Sequence, residues 1–254
     1  MSICRNTLIN YLAGELKSAD IQDYAPNGLQ VEGNKEVSRV VTGVTASQAL
    51  IDSAVELNAD TILVHHGYFW KGENPTITGI KGQRIRTLLQ NNINLLAYHL
   101  PVDVHPQWGN NVQLGTLLGL QQLTPLSGVK PTGIIYTGKL AAETQAIHFA
   151  SHIEKALNRE VVHVPHEGSE TISTVAWCTG GGQGYIEKAA EQGFDAFISG
   201  EISEQTTHIA REAGIHYIAA GHHATERYGI KALGEHLAAS MGLDVTFVDI
   251  DNPA

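Results

Sequence analysis

Cysteine is almost missing from this chain, with two in 254 residues. Cys4 and Cys178 have no paired spacing, which argues against a disulfide framework or a thiolate zinc site and toward a cytoplasmic compartment. Long apolar runs are missing too, and no segment approaches the roughly 20 residues of a membrane-spanning helix. The first residues place Ile3, Leu8, Leu12 and Leu16 at near-helical spacing among Glu15, Lys17 and Asp20. They read as an amphipathic helix and not as a secretory signal. Basic charge is scarce, with 16 Lys and Arg against 26 Asp and Glu for a net charge of −10. Duplex DNA binding rests on neutralising phosphates, so general DNA affinity is not expected. A small anionic ligand held through bound cations is compatible with the same balance. Serine hydrolase chemistry has no support, because no Gly-x-Ser-x-Gly elbow is present.

Histidine, by contrast, is plentiful at 13 residues, and six of these fall in three short clusters. The clusters are TILVHHG (Thr61 to Gly67), LLAYHLPVDVH (Leu95 to His105) and YIAAGHHATE (Tyr217 to Glu226), each continuing from an apolar run. Neutral imidazole and carboxylate are common ligands of catalytic divalent metals. Three such clusters offer more ligand than one ion takes, which points to a two-metal site.

Around the clusters, apolar runs alternate with helical patterns. VSRVVTGVTAS, TILVHH and INLLAYHL read as strands, separated by the helices QALIDSAVELNAD and KGQRIRTLLQNN. Further on, TISTVAWCTG, AFISGE, IHYIAAGH and LDVTFVDI read as strands, with helices between them and a shorter helix near Thr144 to Asn158. The alternation predicts an α/β fold with mainly parallel strands. NADTILVHHG also lines up with GFDAFISGEI, Asp60 matching Asp195. The expectation is therefore two similar α/β units related by internal duplication, residues 1–125 and 126–254, facing across a cleft that holds the metal site. All three clusters sit at the carboxyl ends of predicted strands, where α/β sheets bind ligands.

His65 and His66 reach one site together only if the backbone turns at Gly67; otherwise each serves a different ion. Asp103 is a candidate oxygen ligand just past a strand, with His99 and His105 read as orienting or structural. His222 and Glu226, four apart, share a helical face if the helix begins by about Ala224. Glu226 can bridge two ions, and His223 points away if His222 points in. Glu201 is a candidate general base or ligand-orienting acid, whereas Ser203 reads as a helix cap. CTGGGQGY (Cys178 to Tyr185) reads chiefly as tight strand–helix packing, being neither a dinucleotide fingerprint nor a Walker loop. YFWKG (Tyr68 to Gly72) offers aromatic faces for a base and Lys71 for a phosphate, or equally a packed loop. Asp23 to Gly28 reads as a turn.

The segments DYAPNGLQVEG, VTGVTAS, VHHGYFWKG, HLPVDVH, AWCTGGG, FISGEISEQT and AAGHHATE together resemble the NIF-three-like family. Its bacterial members are often labelled GTP cyclohydrolase I type 2 homologues, and the resemblance covers essentially the whole chain. It implies a dinuclear metal centre on His65, His66, Asp103, His222 and Glu226, with Glu226 as the bridge, and six subunits in a toroid. The implied activity is metal-assisted hydrolysis of a small nucleotide-like molecule, such as purine ring opening, with two divalent cations drawn from Zn, Mn, Fe or Ni. The alternative is a non-enzymatic metal-binding ring serving as a regulatory or protein-interaction scaffold.

Overall fold

Thr61, Ile62, Leu63, Val64 and His65 are all essentially sealed from solvent, because the strand they form is covered on both faces. Such unbroken burial is the mark of a central strand in a parallel sheet. The computed structural model describes residues 2–254. The chain begins with β1 (Ile3–Cys4), α1 (Arg5–Leu16), β2 (Gly28–Val31) and β3 (Glu36–Val37). Next come β4 (Arg39–Thr45), α2 (Gln48–Glu56), β5 (Thr61–His66), α3 (Gly79–Gln90), β6 (Asn94–Ala97) and the short α4 (Leu100–Asp103). Then follow α5 (Asn110–Leu117), β7 (Gln121–Pro125), β8 (Tyr136–Gln145), α6 (Ala146–Leu157), β9 (Val162–Val164) and β10 (Thr171–Cys178). The last are α7 (Ile186–Glu191), β11 (Ala196–Ser199), α8 (Glu204–Ala213), β12 (His216–Ala219), α9 (His222–Met241) and β13 (Asp244–Phe247).

These elements divide into two units that are discontinuous in sequence. The first comprises Met1–Val102 and Gly229–Asp251, the second Asp103–Tyr228 and Asn252–Ala254. The division expected at residue 125 is therefore not where the contacts divide. β13, read from sequence as the last strand of the second half, pairs in parallel with β4, Asp244 to Phe247 lying against Arg39 to Thr42. Its parallel register, continued by the Val248 N–H donating to Thr42 O, joins it to the first sheet.

In the first unit the sheet order is β13-β4-β5-β6-β2, parallel except for β2 at one edge. The apolar sides of α2 and α3, including Leu50, Ile51, Ala54, Ile85 and Leu88, cover it. α1 buries Leu8, Leu12 and Leu16 as its spacing predicts, while Ile3 belongs to β1. The second unit has a sheet of order β7-β8-β10-β11-β12-β9. Its three central strands, β10, β11 and β12, are parallel, and β7, β8 and β9 run antiparallel to their neighbours at the edges. The fully buried Trp177 anchors its core and donates its indole N–H to Asn111 O at 2.8 Å.

The predicted likeness of the two units extends to individual hydrogen bonds. Asp60 Oδ2 accepts from the backbone and hydroxyl of Ser38 and from the Arg39 N–H at 2.8–3.0 Å. Asp195 Oδ2 accepts in the same way from Ser173 and from both donors of Thr174, at 2.8–3.0 Å. Each aspartate stands before a parallel strand and holds the start of the neighbouring one. These bonds, working against partial burial, hold the Asp195 carboxyl below the usual range. Its stabilisation is thus present above the unfolded aspartate pKa of roughly 3.9 and lost as pH falls through the lower folded value. Asp195→Ala is expected to destabilise the chain by about 1–3 kcal/mol at neutral pH. Urea denaturation at several pH values checks this, with the gap from the parent narrowing below about pH 4.

Candidate metal centre

β5 ends on the two histidines that open the candidate site. His65 is fully buried and His66 half-buried, and their ring centroids lie 4.4 Å apart, so both rings are brought together. Gly67 contributes space: a Cβ there would collide with Gln30 Oε1 and stand 2.6 Å from Ala97 Cβ. Its φ lies outside the left-handed region, so close approach, not backbone freedom, is what requires glycine. The Tyr98 carbonyl lies 3.2 Å from His65 Nδ1 and, being only an acceptor, assigns the proton to that nitrogen. Thr45 Oγ1 lies 3.2 Å from His66 Nδ1.

His99, two residues past β6, lies closer to this pair than its sequence reading as an orienting or structural group suggested. One ring nitrogen from each of His65, His66 and His99 lies within 4.8 Å of the others. Trp70 stands edge-on to the His99 ring at 4.9 Å and near His66 at 5.9 Å. Of the other YFWKG residues, Tyr68 is core, its hydroxyl donating to Ala46 O at 2.7 Å, and Lys71 is exposed.

The second unit carries two buried carboxylates, Asp103 and Glu226. Asp103 closes α4 and is buried, accepting from Asn110 Nδ2 at 2.9 Å and from Thr179 Oγ1 at 3.4 Å. α9 begins on His222 itself, so His222 and Glu226 share its first turn and meet, Nε2 to Oε2, at 3.2 Å. Glu226 is buried, while Glu201 is exposed and accepts from His222 Nδ1 at 2.7 Å. Glu201 thus grips the ring of His222. Burial disfavours the charged imidazole, but hydrogen bonds and charges from Glu226 and then Glu201 outweigh it, pushing His222 up to about 9. Burial pushes the Cys178 thiol well up, and the charges of Asp103 and Glu226 add to the rise. Buried negative charge is therefore concentrated at the carboxyl end of β10. His223 is buried beside His222, and its backbone N–H donates to Ala254 O.

The CTGGGQGY loop packs beneath these groups, as its packing reading predicted. The Gly180 N–H donates to Thr225 Oγ1 at 3.0 Å, and the Gly180 carbonyl accepts from the Gly200 N–H at 2.8 Å. Gly180 has φ +62°, and a Cβ on it would collide with Glu226 Oε1 and stand 3.0 Å from His222 Nε2. Ser203 caps α8 as expected, sharing a reciprocal bond pair with Thr206. His105 is structural: its Nδ1 accepts from the Trp108 N–H at 3.1 Å and its ring stacks on Trp108.

Sequence reasoning missed three orienting groups. Asp23 holds His99, Asn110 holds Asp103, and the Tyr98 carbonyl holds His65. Asp23 and Tyr98 lay in segments singled out beforehand, where the turn setting of the one and the backbone nature of the other's contact concealed their roles. The imidazoles of the first unit and the buried carboxylates of the second are each donor types that suit a divalent cation. The space kept by Gly180 at the Glu226 carboxylate fits it too. Gly180→Ala is expected to displace that carboxylate and weaken divalent-metal affinity at least tenfold, the lower end of what losing an orienting partner costs. Isothermal titration of the metal-stripped variant measures it.

The family model described as Duf34/NIF3 (NGG1p interacting factor 3) matches residues 4–253. A Pseudomonas aeruginosa protein named GTP cyclohydrolase 1 type 2 homolog is 54% identical over 254 residues, which is 100% of both chains. An Escherichia coli K12 protein of the same name is 55% identical over 251 residues, 98% of this chain and 100% of its own. Among solved structures, protein ybgI, described as of unknown function, superposes with a TM-score of 0.94 at 53% identity, covering 99% of this chain and 100% of that one. TTHA1606 from Thermus thermophilus superposes at 0.89 with 35% identity, again over 99% and 100%. Matched over residues 4–253 by the family model and over its whole length by a relative 54% identical, the chain belongs to the Duf34/NIF3 family.

Proposed function

We propose that this protein is a metal-dependent hydrolase of a small nucleotide-like molecule. Its two divalent cations would be held by His65, His66, Asp103, His222 and Glu226, with Glu226 shared between them. The observation that carries the reading is the burial of two carboxylates, Asp103 and Glu226, at 5% and 3% exposure. Asp103 is held by Asn110 and Thr179 and Glu226 meets His222, and buried, oriented carboxylates of this kind are common ligands of divalent cations. When bound, a metal pair polarises a substrate oxygen and lowers the pKa of water toward neutrality.

The chain's own residues do the rest. Asn110 and Thr179 fix one oxygen of Asp103, and Glu201 fixes the ring of His222. Glu201, exposed, would serve as a general base or as the acid that orients His222. Trp70 offers an aromatic surface next to His66 and His99, and the exposed Lys71 follows it as a cation for an anionic substrate group. The name shared by the bacterial relatives, GTP cyclohydrolase 1 type 2 homolog, supports a purine nucleotide as the first substrate to try. The reading includes a homohexamer in the cytoplasm. Both cysteines are free, and among the described residues no helix is long and apolar enough to cross a membrane.

Metal analysis of the purified chain, followed by nucleotide hydrolysis assays with each reconstituted metal, tests the reading. Two ions per chain and turnover are expected. Paired binding without turnover on any nucleotide would favour the scaffold role instead. Glu226→Gln is expected to lower occupancy of both ions, and His65→Ala or His66→Ala mainly of one. The reason is that each imidazole nitrogen serves a single ion, whereas a carboxylate can supply an oxygen to each. Wild-type affinity for both metals in Glu226→Gln would remove Glu226 as the bridge. Light scattering of the metal-loaded protein checks the hexamer, and a monomer mass would overturn it.

A further inference from the structure

A cavity of about 220 Å³ opens at the amino ends of β10, β11 and β12, the end of these strands opposite Cys178 and Glu201. His166, Thr171, Phe194, Asp195, Gly214 and His216 line it, and no lysine or arginine is among its lining residues. His216 forms a closed wall. Its Nε2 lies 3.0 Å from the Ser169 carbonyl and its Nδ1 accepts the His166 backbone N–H at 3.2 Å, so both ring nitrogens are committed. Asp195 is committed on one side alone: Oδ2 is saturated by Ser173 and Thr174, whereas no donor among the described residues reaches Oδ1. A second carboxylate, Glu143, accepts from the Thr171 hydroxyl. α8 ends on the cavity at Ala213 and Gly214, and α7 ends two residues before Gly193, which also lines it. Carboxylates and helix C-termini both favour positive charge.

The first unit shows what such a helix end takes. By the duplication, α2 and Asp60 stand to β4 as α7 and Asp195 stand to β10. There the Arg39 guanidinium donates from Nη1 to Leu57 O, at the end of α2, at 2.9 Å and from Nε to Asp244 at 3.1 Å. Asp60 Oδ1, the counterpart of the unused oxygen of Asp195, is sealed from solvent. The residue matched to Arg39 is Thr174, whose hydroxyl is spent on Asp195 itself at 2.8 Å. The second unit thus keeps the acceptors and lacks the cation.

We propose that this cavity binds a small molecule bearing a guanidinium group, received by Asp195 Oδ1 and the carbonyls that end α7 and α8, with the Phe194 ring as an apolar and cation-binding face. The volume lies below the roughly 300 Å³ at which pockets for drug-sized ligands begin, so the ligand is smaller than a nucleotide. The site needs no metal and stands independently of the hydrolase reading.

The test titrates agmatine, an alkylguanidinium, into the full chain by isothermal calorimetry, with and without a chelator. One site per chain is expected in both, with a Kd of about 1 mM or tighter. N-carbamoylputrescine, in which a neutral urea replaces the guanidinium, should bind at least about tenfold more weakly. Hydrogen exchange read by mass spectrometry should slow in peptides spanning residues 186–196 and 211–218, and not in those carrying His65 or His222. Ala213→Phe, which fills the cavity from the exposed end of α8, should lose agmatine binding. The exchange arm on the parent decides the matter if that variant fails to fold. No saturable binding up to about 10 mM agmatine would overturn the proposal. So would protection confined to other segments, equal affinity for the urea, or unchanged binding by folded Ala213→Phe. Loss of agmatine binding on chelation would place the ligand at a metal-dependent site and overturn it as well.

Discussion

Two carboxylates kept away from water set the terms for the rest of this protein. Asp103 and Glu226 are almost fully buried, and the effective cost of burying an ion is several kcal/mol unless charge and hydrogen bonds compensate. Asn110 and Thr179 satisfy part of Asp103, and His222 meets Glu226, so the second unit offsets some of that cost itself. The negative field that remains is felt by the neighbouring Cys178 thiol, already raised by burial.

The backbone accommodates this demand at one kind of place. β5 ends at His66, β6 two residues before His99, β10 at Cys178, β11 two residues before Glu201 and β12 three before His222. Carboxyl ends of parallel strands release side chains into open space while the amino ends are stapled, as by Asp60 and Asp195. Glycine completes the arrangement where a side chain would collide with the donors. Gly180 is the clearest instance, because both its positive φ and its missing Cβ are needed beside Glu226.

Orientation is delegated to neighbours distant in sequence. Glu201 reaches His222 across 21 positions, Tyr98 reaches His65 across 33, and Asp23 reaches His99 across 76. For His65 the Tyr98 carbonyl, only an acceptor, fixes which ring nitrogen carries the proton. Each of these side chains is held by its neighbour in one orientation, which limits the ordering cost of any interaction it enters.

Sequence by itself determined the local elements and most candidate donors. Period-two and period-3.6 patterns located β4, β5, β10, β11 and β12 and the helices α1, α2, α3, α6, α8 and α9, because burial of one face leaves its rhythm in the residues. The weaker strands β2, β7 and β9 left little rhythm, being short and partly exposed at sheet edges. β8 was missed as well, since only its first three residues are buried. Tertiary structure alone decided that β13 joins the first sheet, because strand pairing depends on backbone hydrogen bonds that no side-chain pattern encodes. It decided, for the same reason of long-range contact, that Asp23 in an unremarkable turn holds His99. A carboxylate's role depends on what stands 2.7 Å away, and residues 76 apart become neighbours only through the fold.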